Sequence, residues 1–189
     1  MTRARLVTLR GNHEDAWLRA RASGYPEFVI PAGNGCNECM RSFVGHDRPA
    51  EIEGLGAWLE ALITGSFFPA EVVHWMESLR FWYEDEQAIY VHGGLPQLGG
   101  RWLHPSEVER PSAMLWERDM AFFRDYAGKL VVCGHTATSC LPTALSSYTP
   151  DDPKDLWVGP HVVGLDTACG KGGFLTCLEL PARAVYESR

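Results

Sequence analysis

Three short polar blocks carry residues able to do chemistry: Gly11-Asn12-His13-Glu14, His92-Gly93-Gly94 and Gly134-His135-Thr136. Asn12, His92 and His135 supply one amide oxygen and two imidazoles, a mixed N/O donor set that suits Mn, Fe or Zn better than Mg or Ca. Neutral ligands leave the ion's positive charge available to polarise a phosphoryl oxygen and to lower the pKa of a bound water. A single histidine is most simply a core or surface residue. The chemical reading rests on the setting that these residues share and that His46, His74, His104 and His161 lack.

That setting is a short β-prone run emptying into glycine-flanked polar residues. Leu6–Leu9 leads to the first block, Ala88–Val91 to the second and Leu130–Cys133 to the third. A strand end gives a side chain a rigid base, and glycine lets backbone and ligand approach closely. Around these runs, Asp15 to Arg21 predicts a helix start. Ile52, Leu55, Leu59 and Leu62, then Val72, Met76 and Leu79 after Pro69, predict two amphipathic helices. Gly24 to Pro49, rich in Gly, Pro and Asn, predicts a long loop. Phe81–Tyr83 and Ala88–Val91 flank a polar turn and predict a hairpin. Val162–Leu165 and Phe174–Leu180 predict two further strands, joined through Asp166-Thr167 and Gly170-Lys171-Gly172-Gly173. The last of these lacks Walker spacing and reads as a turn, with no nucleotide-binding claim. Trp58, Trp75, Trp82 and Trp116 are expected in the core, and Trp102 and Trp157 at the border of a cleft.

Composition bounds the rest. At 189 residues, 46% hydrophobic and 22% charged, the chain can bury a core of its own, and 1–189 is expected to form one globular domain. Seventeen Lys+Arg against 24 Asp+Glu leave a net charge of −7. That argues against a general nucleic-acid or membrane-surface partner, which needs a cationic footprint. Leu130–Pro150 lacks Asp, Glu, Lys and Arg, yet His135, two prolines and several Ser and Thr break any continuous apolar face. Met1–Leu6 has no apolar core behind its arginines, so a cytoplasmic location is expected. Six cysteines are too few for a disulfide scaffold and are expected as free thiols. Cys36-Asn-Glu-Cys39 is a lone CxxC without a second ligand pair for zinc or a thioredoxin-like setting, and reads as two loop residues. Nothing in the sequence specifies an oligomeric state.

The three blocks, in this order and at this wide spacing, resemble the calcineurin-like metallophosphoesterases. The similarity is to the serine/threonine protein phosphatase branch of bacterial type and its diadenosine-tetraphosphatase relatives. Leu9-Arg10-Gly11-Asn12-His13-Glu14-Asp15 resembles that family's GNHE block, Val91-His92-Gly93-Gly94-Leu95 its HGG block, and Val132-Cys133-Gly134-His135-Thr136 its GH block. Gly164-Leu165-Asp166-Thr167 followed by Gly172-Gly173 resembles a C-terminal strand pair of its bacterial members. The resemblance implies an α+β fold of the four-layer sandwich type, two packed, mostly β sheets flanked by helices. It implies a phosphoester hydrolase in which Asn12, His92 and His135 hold the second metal, with Mn foremost and Fe or Zn as alternatives. His13 would be the general acid to an in-line attack by a metal-activated hydroxide. Arg10 and Arg118, the latter in Leu115-Trp116-Glu117-Arg118, would hold phosphate. The implied substrate is a phosphorylated protein or a small phosphoester such as a dinucleoside polyphosphate. Asp166 has two equal readings, orienting a ligand histidine or capping a turn.

The family's DxH and GDxxDRG blocks should precede GNHE. Only ten residues stand before Gly11, and no Asp-x-His or Gly-Asp occurs anywhere. In the family those blocks supply the first metal's own ligands, the carboxylate bridging the two ions, a further phosphate arginine and the acid that orients the catalytic histidine. The expectation is therefore a domain truncated at its N-terminus by two strand–helix units, ~60 residues, with an exposed sheet edge. It would hold at most one metal and hydrolyse weakly or not at all. The alternative is a non-catalytic remnant that binds phosphate or one metal.

Overall fold

The computed structural model describes residues 6–45 and 52–189. The expectations on Met1–Arg5, His46 and the rest of 46–51 lie outside the described residues. The chain divides into two compact units, one of residues up to Asn12 together with Arg80–Arg189, the other His13–Leu79.

The His13–Leu79 unit is helical. Its elements are α1 (Asn12–Ser23, beginning on the last residue of the other unit), α2 (Pro26–Val29), a 3-10 turn (Ala32–Asn34), α3 (Cys36–Val44), α4 (Ile52–Thr64) and α5 (Ala70–Ser78). Gly24, at φ 75°, ends α1 with its N–H on the Ala20 carbonyl, and Pro26 opens the next helix at a position where no N–H is needed. Trp17 organises the core, with ring-edge contacts to Phe28, Phe67 and Phe68, around which Met40, Trp58, Leu62 and Met76 are buried. Three expectations are corrected here. The segment 24–45 is not a long loop, because most of its glycines and prolines fall at the ends of short helices. In α4 the buried stripe runs through Trp58 and Leu62, while Leu59 is exposed. On α5, Trp75 faces outward instead of lying in the core.

The other unit is built on a sheet. Its elements are β1 (Trp82–Glu84), β2 (Ile89–Val91), β3 (Gln97–Leu98), β4 (Arg101–Trp102), α6 (Ala113–Trp116), α7 (Met120–Asp125), β5 (Val131–Cys133), β6 (Trp157–Val158), β7 (Val162–Gly164), β8 (Thr176–Glu179) and β9 (Ala184–Glu187). Five strands pair in the order β1-β2-β5-β7-β6, with β2–β5 and β5–β7 parallel and both outer pairings antiparallel. The β1–β2 hairpin closes on Asp85, whose carboxylate accepts from the N–H groups of Gln87 and Ala88.

Register makes the two faces explicit. Ile89, Val131 and Val162 form one cross-strand row and Tyr90, Val132 and Val163 the next. Because side chains alternate along a strand, the first row packs with Met114, Phe122 and Phe123 from the α6–α7 region. The second packs with Leu178, Leu180 and Val185 of the β8–β9 hairpin. Helices lie on one face and a second, two-stranded sheet on the other, an α+β architecture.

Trp157 is not at a cleft border. It is 2% exposed in the core, its indole N–H donating to the Pro142 carbonyl at 2.9 Å. Trp102 packs edge-on against Phe122. Trp116, expected in the core, is 44% exposed. Of the β-prone run Leu6–Leu9, only Leu9 pairs, as a single parallel bridge to Arg80. Among the described residues no helix is long and apolar enough to cross a membrane.

Candidate functional site

β2 and β5 are parallel neighbours, so their carboxyl ends open side by side at one rim of the sheet, the place where open α/β sheets put ligands. The chain leaves β2 at His92 and β5 at Gly134-His135, and the two exits are joined by a hydrogen bond from the Gly134 N–H to the His92 carbonyl at 2.9 Å. The glycines after His92 fix the loop against α6, with the N–H groups of Gly93 and Gly94 both donating to the Met114 carbonyl. A Cβ on Gly93 would stand 2.7 Å from that same oxygen, so only glycine fits. His135 holds a left-handed backbone, φ 65°, at the turn out of β5. That conformation is unusual for a non-glycine residue and clusters at functional sites.

Asn12 arrives from a remote segment. Arg10 donates its N–H to the Arg80 carbonyl, which moors the chain beside β1 two residues before Asn12. Asn12 is buried, and its Oδ1 lies 2.9 Å from His92 Nε2. The His92 and His135 rings stand 4.9 Å apart between centroids. Side chains from three segments therefore come together.

The donor set can be tested against an ion. Two ligands at right angles, each ~2.1 Å from a metal, are ~3.0 Å apart, and the Asn12–His92 separation is 2.9 Å. As a hydrogen bond the contact needs His92 Nε2–H to donate to the amide oxygen. With Nε2 deprotonated the same atoms present neighbouring lone pairs to one cation. His135 Nδ1 faces the Arg118 guanidinium at 3.5 Å. A guanidinium has no acceptor, so this contact uses the Nδ1 lone pair, while Nε2 is buried. Asn12 Oδ1 and His92 Nε2 are spaced as two ligands of one ion would be, and the His135 ring stands beside them. Among the described residues no three His, Cys, Asp or Glu side chains gather as a possible metal site.

The cationic side of the site is Arg118. It is exposed, with Nη1 3.4 Å from Thr136 Oγ1 and Nη2 toward His135. Its backbone N–H and that of Asp119 both donate to Glu117 Oε1, which fixes the turn that carries it. Trp116 lies edge-on to the His135 ring at 6.1 Å. Thr136 and Glu117, neither singled out from the sequence, are what Arg118 and its turn rest on. The hydroxyl next to the histidine in the Gly134-His135-Thr136 block was the available signal.

The remaining expected residues are placed as follows. Arg10 lays its guanidinium over the Phe81 ring, 4.6 Å from the centroid. His13, in the first turn of α1, is exposed and meets Phe28 edge-on at 5.1 Å. Asp166 accepts from the Ala168 N–H through Oδ1, and its carbonyl accepts from the Thr138 N–H, contacts that serve the turn-capping reading. Cys36 and Cys39 lie on α3 rather than in a loop. Burial pushes the Cys36 thiol up to about 12 and raises Cys39 as well, the state of inert packing thiols.

No family model matches the chain, and no curated protein matches it significantly. Among solved structures, the chain is similar to one described as "a putative diadenosine tetraphosphatase", with a TM-score of 0.48 and 15% identity over 96% of this chain and 67% of that one. The likeness is a coarse one.

Proposed function

We propose that the rim formed by Asn12, His92 and His135 holds one divalent transition-metal ion and, with Arg118 beside it, receives a phosphate ester for hydrolysis. The observation that carries this reading is the 2.9 Å approach of Asn12 Oδ1 to His92 Nε2, 80 residues away in the chain, with the His135 ring 4.9 Å from that of His92. A bound ion would supply Lewis-acid polarisation of a phosphoryl oxygen and a more acidic water. The protein's own part is then definable. Arg118 offers a charge-assisted donor pair to phosphate oxygens, and Thr136 restrains it. His92 and His135 must both present neutral imidazoles to bind the ion. His13, next to Asn12 in the chain, is the proton donor to the leaving alkoxide in this reading, and Arg10 the second phosphate ligand.

Manganese is the first metal to try, with iron and zinc next. Substrate candidates are phosphoserine or phosphothreonine in proteins and dinucleoside polyphosphates. The test is hydrolysis of p-nitrophenyl phosphate, a phosphoserine peptide and diadenosine tetraphosphate with manganese, by the protein and by His92→Ala and His13→Ala. Slow turnover of at least one substrate, abolished in His92→Ala and strongly reduced in His13→Ala, is the expected result. Turnover unchanged in both variants would contradict the assignment.

A second reading, a site that binds phosphate or one ion without turnover, is favoured by the wholly neutral donor set. No carboxylate joins His92 and His135 in an ion-holding group among the described residues. Saturable metal binding with no hydrolysis of any of the three substrates would select it.

A further inference from the structure

Away from this rim, the sheet unit contains a cavity that the proposed chemistry does not use. It lies between the sheet face carrying Val132 and Val163 and the β8–β9 hairpin, with a volume of about 180 Å³. Its walls are aliphatic, with Leu130, Leu156, Val163, Leu178 and Val185 among them, and Ser147 and Tyr148 add hydroxyls. An interior space of this kind is ordinarily filled, because unfilled apolar volume destabilises a core. About 150 Å³ lined by aliphatic groups is already enough to take a benzene-sized molecule.

One charged side chain lines the cavity, Arg183, and no acidic residue does. Arg183 belongs to the turn before β9 and holds φ at 56°, a left-handed conformation normally given to glycine or asparagine. The turn thus keeps an arginine where glycine would be easier, and that arginine stands at an apolar hole. Three exposed arginines of the unit pair with carboxylates instead: Arg101 with Glu107, Arg124 with Asp125, and Arg189 with Glu187 and Asp155. Arg183 makes no ion pair among the described residues. In a protein of net charge −7, a cation without a carboxylate at the mouth of an aliphatic pocket is a built charge complement.

We infer that this cavity binds a small amphipathic carboxylate, its short aliphatic or aromatic body among Leu130, Leu178 and Val185 and its carboxylate on Arg183. Body and head act separately. Burial of the apolar body supplies most of the affinity, and the guanidinium supplies preference for the anion over a neutral molecule of the same shape. The site shares no residue with the Asn12–His92–His135 rim, so it stands or falls independently of the hydrolase reading.

The test is calorimetric titration of the whole protein, without added metal, with sodium octanoate and with octan-1-ol as its uncharged counterpart. Single-site binding is expected, with octanoate tighter than octanol by ~tenfold, on the order of one charge-assisted hydrogen bond. Arg183→Gln, which keeps the aliphatic stem and removes the charge, should erase that preference while leaving octanol binding unchanged. Leu178→Trp should fill the cavity and remove both. Octanoate that binds Arg183→Gln as tightly as the parent, or a parent protein with no saturable octanoate site, would overturn the inference.

Discussion

Gly93→Ala is the sharpest structural probe of the site, because the added methyl meets only backbone. An ideal Cβ would stand 2.7 Å from the Met114 carbonyl oxygen, 3.1 Å from that of Glu117 and 3.3 Å from the Glu117 nitrogen. None of these atoms can rotate away. Ordinary contact begins near 3.4 Å, so the loop after β2 or the end of α6 must move by several tenths of an ångström. Overpacking of this kind destabilises by about 1–3 kcal/mol. The shift also stretches the hydrogen bonds of Gly93 and Gly94 to Met114, now 2.9 and 3.2 Å, for roughly a further 1 kcal/mol. A total of about 2–4 kcal/mol corresponds to a Tm lower by ~4–16 °C for a chain of this size. Since His92 precedes the glycine directly, its 2.9 Å approach to Asn12 should open as well, with manganese affinity weakened ~tenfold or more. Thermal melts and a manganese titration of Gly93→Ala measure both effects. Gly170→Ala, where nothing lies within 4 Å of the new Cβ, is the control and should melt with the parent. A Gly93→Ala protein that melts within ~1 °C of the parent and binds manganese equally would refute the packing argument.

Two further outcomes follow from the titrating groups. Cys36 and Cys133, each buried and pushed up to about 12 by burial, should resist iodoacetamide at pH 8 in the native protein, whereas the exposed Cys140, Cys169 and Cys177 should label. Peptide mass spectrometry reads the pattern, and early labelling of Cys133 would contradict the sheet core described above. The Arg101 guanidinium grips Glu107 at both carboxylate oxygens and holds its pKa down at about 2 against an ordinary 4.5. A carboxyl lowered in the folded state stabilises above the unfolded value and loses that contribution as pH falls from about 4.5 through 2. The Tm difference between the parent and Glu107→Gln should therefore be small and positive at pH 6, as for any exposed pair, and vanish near pH 2. A difference that grows on acidification would reverse the sign of the argument.

The parts legible in the sequence were those set by local pattern. Val131-Val132-Cys133 is a continuous apolar run ending in glycine, and it became the buried parallel strand that delivers His135. Glu84-Asp85-Glu86-Gln87 closed a hairpin because Asp85 can satisfy two backbone donors by itself. What escaped depended on partners distant in sequence or on conformation. Trp157 sits on a two-residue strand whose existence depends on antiparallel pairing with β7, a partner that its own Pro- and Gly-rich surroundings do not announce. The segment 24–45 looked like a loop because Gly24, Pro26, Pro31 and Gly35 are frequent, yet each falls at a helix boundary, where these residues are favoured. The left-handed φ of His135 and the restraint of Arg118 by Thr136 have no signature in residue order. Arg10 illustrates a different limit, since its block was recognisable but the stacking of its guanidinium on Phe81 was not.

The central claim is that one amide and two imidazoles converge on a single cation. Isothermal titration with manganese, at pH 7.5 and in the absence of phosphate, tests it most directly. The account predicts one saturable site per chain in the parent protein, lost in His92→Ala and in the double variant Asn12→Ala/His135→Ala, with each variant retaining the parent's circular dichroism. A parent protein without saturable binding, or the same site persisting in the double variant, would contradict it.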